Sequence, residues 1–199
     1  MIPPTRHGLP AIGCISLMQK AIRRNAERLA MEAACELINT SKAQCSMVAN
    51  RLVVISHEDI DVMAQPIIIP FVFACAQTMK EMYQPENPGK SRMAAGSAIR
   101  LMARAPKSRE GDHFQAAIGL RNLFGLPGGI PEIPDWANDG HTMKGKRMGR
   151  GVEFFRAEST KLVPPQAGAP DAYEDEAYKM WEEKERRGKA DKENGDLDV

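Results

Sequence analysis

Aromatic residues are scarce in this sequence, and its cysteines follow none of the spacings that bind metals. Phe, Trp and Tyr together make up 6% of the 199 residues, whereas Met alone occurs 12 times. Abundant Met and only 3 Tyr favour helix packing over a β-sandwich. The cysteines show no C-x-x-C or Cys/His spacing and lie in or beside apolar runs, where Cys packs as a small hydrophobe. We therefore expect no metal site and a reducing, cytoplasmic location.

Long apolar runs and a strong net charge are also missing. The longest apolar run, residues 67–76, contains Pro70 and is shorter than the roughly 20 residues needed to span a bilayer. The N-terminus begins with Pro3 and Pro4 close behind Met1 and lacks the apolar core of a signal peptide. The net charge is only +1, which gives no general argument for binding nucleic acid or membrane. We expect a protein without a membrane segment.

The sequence does contain helical periodicity, which predicts an all-α fold. Apolar side chains such as Val48, Leu52 and Ile55 recur at helical spacing, and Pro and Gly separate the periodic runs. Helices are predicted at about residues 16–25, 26–38, 43–56, 66–83, 91–104, 110–124, 152–160 and 171–187. We expect a helical bundle with an irregular Gly/Pro-rich C-terminal wrap and a charged terminal helix.

Composition divides the chain into four segments. Residues 1–14 are predicted to be an irregular arm, and residues 15–124 a helical domain. Residues 125–170 are predicted to be an irregular basic extension, because prolines and glycines interrupt any periodicity there. Residues 171–199 are predicted to be a charged helix whose last dozen residues fray.

A polar cluster interrupts the apolar pattern after the third predicted helix. Arg51 and Glu58 are separated by two helical turns, so they lie on one side if the helix continues that far. Buried charges need partners, because an unpaired charge in a core costs several kcal/mol, roughly. Arg51, Glu58 and Asp59 are therefore predicted to form a polar network that links the third, fourth and fifth helices. The alternative is that they line the edge of a functional site.

A basic, glycine-rich loop is the strongest local polar signal. Its cations are Lys144, Lys146, Arg147 and Arg150. Glycines allow close approach of a ligand to the backbone, so the cations could contact the phosphates of DNA. Alternatively, they pair with acidic groups of the same chain, such as Asp135, Asp139 or the acidic C-terminal helix, or bind a protein partner. No aromatic residues lie between the cations, which argues against a platform for stacking single-stranded bases.

Motifs for catalysis are absent from the sequence. It contains no G-x-x-x-x-G-K-[ST] motif for ATP phosphates and no G-x-S-x-G nucleophile motif. Asp139 and His141 are two residues apart, which is not a metal site by itself. His57 next to Glu58 and Asp59 is a second titratable cluster, for which we favour a structural role. We expect no cofactor and no enzymatic activity, with an enzyme of unrecognised type as the remaining alternative.

Three stretches together resemble the C-terminal region of the RarA/MgsA family of replication-associated AAA+ ATPases. Residues 51–60, R-L-V-V-I-S-H-E-D-I, are similar to the family's R-L-x-x-I-A-S-E-D-I. Residues 92–108 resemble its helix ending in A-P-K-S. Residues 16–24, followed by Ala33 and Ala34, resemble its S-A-x-x-K-S-I-R-G segment and a later A-A. The three occur in the family's order and cover residues 15–124, whereas the family's closing Y-P-H-D and Q-x-Y-L-P elements are absent.

The resemblance implies a binding function. In the family this region is all-helical and assembles the ATPase into tetramers, following a motor that acts at stalled replication forks. We therefore expect residues 15–124 to be an assembly domain without the ATPase motor, a non-catalytic oligomerisation and interaction module in DNA replication, repair or recombination. The expected partners are copies of the same chain, as a dimer or tetramer, and an AAA+ ATPase or another replication protein. Weak DNA binding by the basic loop is the alternative.

Overall fold

The computed structural model describes the backbone of residues 2–195 and the side chains of residues 2–188. Throughout those residues the regular structure is helical, and the one β-type contact is an isolated antiparallel bridge between Ile60 and Lys107. The predicted all-α class is confirmed. Two compact units are present, Met1–Ile130 and Pro131–Val199. The functional division into four segments stays a prediction.

The first unit is a bundle of helices. They are α1 (Ala11–Arg23), α2 (Glu27–Ile38), α3 (Lys42–Glu58), α4 (Ile68–Glu81), α5 (Gly89–Arg104) and α6 (Glu110–Leu123). The first five pack around one core, whose largest fully buried side chains include Met18, Ile22, Leu52, Met79 and Met102. Alanines on α2 and α5 are buried as well, which lets these helix backbones approach closely.

The start of α1 and the end of α3 differ from the sequence prediction. α1 begins at Ala11, not near residue 16, because Pro10 starts the helix and accepts a 3.1 Å hydrogen bond from Cys14 N through its carbonyl. The arm before it is fastened to the bundle, since Gln44 Nε2 donates to the carbonyl of Pro3 at 3.0 Å. α3 continues to Glu58, so Arg51 and Glu58 lie in one helix and Asp59 directly follows it.

The second unit consists of short elements and one long helix. They are a 3₁₀ turn (Asp135–Ala137), α7 (Met143–Arg147), α8 (Val152–Phe154), a π-helical turn (Phe155–Ser159) and α9 (Glu174–Gly195). Tyr178 of α9 is buried, and its hydroxyl lies 3.1 Å from Thr160 Oγ1. α9 continues to Gly195, beyond residue 187 where the sequence placed its end; the predicted fraying of the last dozen residues stays a prediction, and residues 196–199 lie outside the described part. Glu, Lys and Ala in this stretch are strong helix formers.

Part of the basic loop is helical, contrary to the sequence prediction. Thr142 caps α7 by accepting a 2.9 Å hydrogen bond from Gly145 N. A Cβ at Gly145 would lie 1.8 Å from the carbonyl oxygen of Asp139, so only glycine fits at this position. The close backbone approach that suggested a ligand in the sequence is therefore made by the protein itself.

The cysteines are free thiols inside the bundle. Cys14 and Cys45 are buried and Cys35 and Cys75 are half-buried. Burial raises the pKa of all these thiols. Among the helices that the structure describes, none combines the length and apolar character needed to cross a membrane.

Candidate functional site

A polar network lies where α1, α3 and the start of α6 meet. Asp59, which follows α3, is completely buried. Arg23 of α1 places Nη2 at 2.8 Å from Asp59 Oδ1 and 3.0 Å from Oδ2. Arg109, just before α6, places Nη2 at 3.4 Å from Glu58 Oε1 and Nε at 3.7 Å from Asp59 Oδ1. The buried carboxylate is thus compensated by cations from two other parts of the bundle, as burial of charge requires.

Gln19 completes the network by acting as both donor and acceptor. Its Nε2 donates to Glu58 Oε2 at 2.8 Å and to Asp59 Oδ2 at 3.0 Å. Its Oε1 accepts from Arg51 Nη1 at 3.4 Å. Arg51 therefore reaches the carboxylates only through an amide, because the two turns that separate it from Glu58 correspond to roughly 10 Å along the helix axis.

The predicted network is consequently corrected in its partners. Within residues 2–188, Arg51 forms no ion pair, whereas Glu58 and Asp59 do pair with cations. The elements linked are α1, α3 and the start of α6, in place of the third, fourth and fifth helices, because α1 and the segment before α6 converge on the C-terminal end of α3. His57 is exposed and makes no hydrogen bond to the network in the described part of the chain.

The two longest stretches of family resemblance meet at this network. Asp61 N donates to the carbonyl of Pro106 at 3.0 Å, and Ser108 N donates to the carbonyl of Asp59 at 3.3 Å. Lys107 Nζ donates to the carbonyls of Ala103 and Ala105 at 2.7 and 2.6 Å, which satisfies acceptors at the C-terminal end of α5. Burial lowers the pKa of Lys107.

α6 carries an exposed apolar surface. None of its residues is buried. The α6 surface, as we define it, comprises Phe114, Ile118, Leu120, Leu123 and Phe124, which are 46 to 72% exposed. Helical spacing spreads these side chains over more than half of the helix circumference, and a group of large apolar side chains left in solvent is typical of an interaction surface.

The apolar run in α4 is divided between core and surface. Ile68 and Val72 are completely buried, whereas Ile67, Phe71 and Phe73 are 68, 41 and 54% exposed. Helical periodicity separates the two sets, because residues one apart in sequence point about 100° apart around the axis. The run is therefore only partly available for binding.

The basic loop separates into one bound cation and three exposed ones. Arg150 Nη2 donates to both carboxylate oxygens of Asp135 at 2.8 and 2.6 Å, and its side chain is only 12% exposed. Its guanidinium also lies 3.9 Å from the centre of the Phe154 ring. The exposed cations are Lys144, Lys146 and Arg147, and none of them pairs with a carboxylate of the described side chains.

Asp139, the other acidic residue near the loop, also has a partner within the protein. Asp139 Oδ1 accepts from His141 N at 2.9 Å, and Oδ2 lies 3.1 Å from His141 Nδ1. The hydrogen bond from the His141 side chain lowers the pKa of Asp139. Within the described residues, no group of three or more His, Cys, Asp or Glu side chains is arranged to hold a metal ion.

A cavity of about 490 Å³ lies in the second unit beside this loop. His141, Phe155 and Trp181 contribute aromatic walls, and Lys184 and Glu185 contribute charged groups. The Phe155 ring is edge-on to both His141 and Trp181, with centroid distances of 5.3 and 6.2 Å. Folding thus brings aromatic rings close to the basic loop, although none lies between its cations in the sequence.

Several functional residues were not found from the sequence. Gln19 and Arg23 are four residues apart on α1, which predicts that they share a helix face but not which helix they approach. Arg109 directly follows the A-P-K-S turn, where a surface position was the simplest expectation. Only the tertiary packing shows that all three converge on Asp59.

One family model matches the chain over residues 30–195, and its description is MgsA AAA+ ATPase C terminal. The matched range contains Glu58, Asp59 and Arg109, the α6 surface and the basic loop, whereas Gln19 and Arg23 precede it. No curated protein matches the sequence.

Proposed function

The chain belongs to the MgsA AAA+ ATPase C-terminal family, and from this membership we propose that it is an oligomerisation and protein-interaction module in DNA replication, repair or recombination. The observation that carries the proposal is the α6 surface, which leaves five large apolar side chains in solvent on a helix without a buried residue. Burying such area contributes about 25 cal/mol per Å². Obligate interfaces resemble a core cut in half, and this surface has that composition.

A second copy of the chain is the partner that α6 fits best. Its first turn carries Glu110 and Asp112 and its last turn carries Arg121. Two α6 helices packed antiparallel would place the acidic end of each beside the basic end of the other, with Phe114 and Ile118, which share a helix face, at their contact. The proposal contains no catalytic step, because the family match is to the C-terminal domain and residues 1–199 contain no ATP-binding motif.

The test of this proposal is the mass of the protein in solution. Sedimentation equilibrium at tens of micromolar should show a dimer or tetramer that dissociates on dilution. A protein that stays monomeric over that range would overturn the assembly proposal.

Nucleic-acid binding by the second unit is a second candidate function. It is favoured because the acidic side chains next to the basic loop are already paired with other residues. Asp135 is paired with Arg150 and Asp139 with His141, so the exposed Lys144, Lys146 and Arg147 are left uncompensated by either acid. Uncompensated cations bind phosphates by releasing counterions from the nucleic acid. The aromatic cavity beside the loop offers walls on which an unpaired base could stack.

The salt dependence of DNA binding tests this candidate. Neutralising about three phosphates gives a log–log slope of roughly −3 for duplex DNA. Changing Lys144, Lys146 and Arg147 together to Ala should remove most of that slope and weaken binding to all sequences alike, since no base-reading element is present among these groups. Fluorescence anisotropy with a labelled duplex at several salt concentrations measures the effect.

A variant with the same change of charge elsewhere is the control. It carries Lys20, Lys42 and Lys90 changed to Ala, all exposed in the first unit. This control should keep the slope of the wild type. Arg150→Ala should instead lower the melting temperature of the second unit, because it removes the ion pair with Asp135. Absence of DNA binding by the wild type at low salt would contradict the candidate.

A further inference from the structure

We propose that Arg109 is a positioning residue that anchors α6 to the bundle and thereby sets the direction of the α6 surface. This inference rests on the proposed assembly function, and it identifies Arg109 as a residue that controls assembly. Arg109 lies in the turn before α6 and outside the α6 surface itself. It would act on assembly through the helix it holds.

The attachment of α6 to the other helices is concentrated at its N-terminal end. The chain before it is fixed by the hydrogen bond from Ser108 N to the carbonyl of Asp59 and by the ion pairs of Arg109 with Glu58 and Asp59. A Cβ on Gly111 would lie 3.5 Å from the carbonyl oxygen of His57, so the first turn of α6 also touches the end of α3. The anchor is therefore a compact contact between the end of α3 and the start of α6.

The rest of α6 makes no comparable polar contact. Among the described side chains, no ion pair or side-chain hydrogen bond joins residues 113–123 to α1–α5. Arg121 Nη1 and Asn122 Nδ2 donate to the carbonyls of Pro127 and Gly129, which belong to the loop that follows α6. The C-terminal half of α6 is thus held by its own loop.

Arg109 connects both sides of the anchor. On the α3 side its guanidinium meets Glu58 at 3.4 Å and Asp59 at 3.7 Å, and on the α6 side it meets the carboxylate of Asp112. Asp59 is itself held by Arg23 at 2.8 Å and by Gln19 at 3.0 Å. One guanidinium therefore connects the first turn of α6 to a carboxylate that α1 holds rigidly.

The length of α6 amplifies any change at the anchor. A helix of 14 residues is about 21 Å long, so a rotation of roughly 10° at its start moves its end by about 4 Å. Packed interfaces tolerate displacements of about 1 Å or less. Loss of the anchor should therefore disrupt an interface built on Phe114 and Ile118 without removing any interface atom.

The experiment compares Arg109→Gln with Arg104→Gln. Arg104 is a matched control, because it pairs with Glu27 at 2.7 Å on the surface of the same bundle and forms no ion pair or hydrogen bond with α6 in the described structure. Self-association is measured by sedimentation equilibrium, and protection of the α6 amides by hydrogen exchange. We expect R109Q to weaken association at least tenfold and to raise exchange in α6, while α3 stays protected. R104Q should behave as the wild type, and Arg109→Lys should restore part of the association.

The two readouts separate this inference from the assembly proposal. If the wild type is monomeric, assembly fails, and exchange in α6 still shows whether Arg109 is an anchor. Unchanged α6 exchange in R109Q would overturn the anchor. Increased exchange with wild-type association would overturn its link to assembly. Equal loss of protection in α3 and α6 would show a general loss of stability and would also overturn the positioning role.

Discussion

Replacing Phe114 and Ile118 together by Glu should convert the assembled protein into a monomer and weaken self-association at least 100-fold. Apolar residues at the centre of an interface each contribute about 2 kcal/mol or more, and a charge placed there has no partner. Folding should be unaffected, because neither side chain is buried and Glu is a good helix former. Circular dichroism should show a folded bundle, with any loss of helix content limited to the 14 residues of α6, while light scattering shows the lower mass.

Phe73→Glu is the control for this experiment, because Phe73 on α4 is 54% exposed and belongs to the other exposed apolar run of the bundle, residues 67–76. If α6 is the interface, the Phe73 variant should stay assembled. If that variant dissociates and the α6 variant does not, the interface lies on α4. If both the α6 variant and the Phe73 variant stay assembled, neither α6 nor α4 forms the interface.

Asp59→Ala should lower the free energy of unfolding by about 3 to 5 kcal/mol, because it removes the buried partner of Arg23 and leaves that guanidinium only Glu58, at 3.8 Å, as a carboxylate partner. Asp59 has no exposed surface and is contacted by Arg23, Gln19 and Arg109. For a chain of this length such a loss corresponds to a fall of roughly 10 °C in melting temperature. Urea denaturation and thermal melting, both followed by circular dichroism, measure it.

Glu58→Ala and Glu27→Ala provide the comparison. The Glu58 side chain is 24% exposed, so we expect its replacement to cost about 1 kcal/mol. Glu27 pairs with Arg104 on the surface, and its replacement should leave the melting temperature within a degree or two. If the Asp59 variant had the same melting temperature as the Glu27 variant, the polar network would not stabilise the fold as proposed.

Helical periodicity was sufficient to predict the fold class and most helices of the first unit. Val48, Leu52 and Ile55, which defined the pattern of α3, are completely buried. The start of α1 was misplaced because Pro10 and Gly13 resemble a turn in sequence, whereas Pro at a helix start is favourable. Local signals do not distinguish these cases without the packing of the following turn.

The sequence predicted which carboxylates form the network but not their partners. Glu58 and Asp59 were visible as charges inside an apolar pattern, and such charges require compensation wherever they are buried. Arg51 was the nearest cation along the chain, whereas Arg23 and Arg109 are nearest in space. Tertiary contacts between residues 36 and 50 positions apart decide the pairing, and no local pattern encodes them.

In the basic loop, too, the local sequence did not show which charged residues pair with each other. Its cations looked equivalent in sequence, yet Arg150 is bound to Asp135 and covered by the Phe154 ring, while Lys144, Lys146 and Arg147 are exposed. The alternatives of self-pairing and phosphate binding thus apply to different residues of one loop. Spacing alone could not assign them.

The absence of buried residues in α6 has a thermodynamic consequence. An isolated helix of about 12 to 15 residues is marginally stable in water, and α6 has 14. Its helical state and its contact with a partner therefore belong to one coupled equilibrium, in which part of the free energy of association is used to order the helix. Such coupling makes the heat capacity change of association larger than rigid docking would give. It also makes the affinity sensitive to any substitution that alters helix propensity, even one that touches no partner atom.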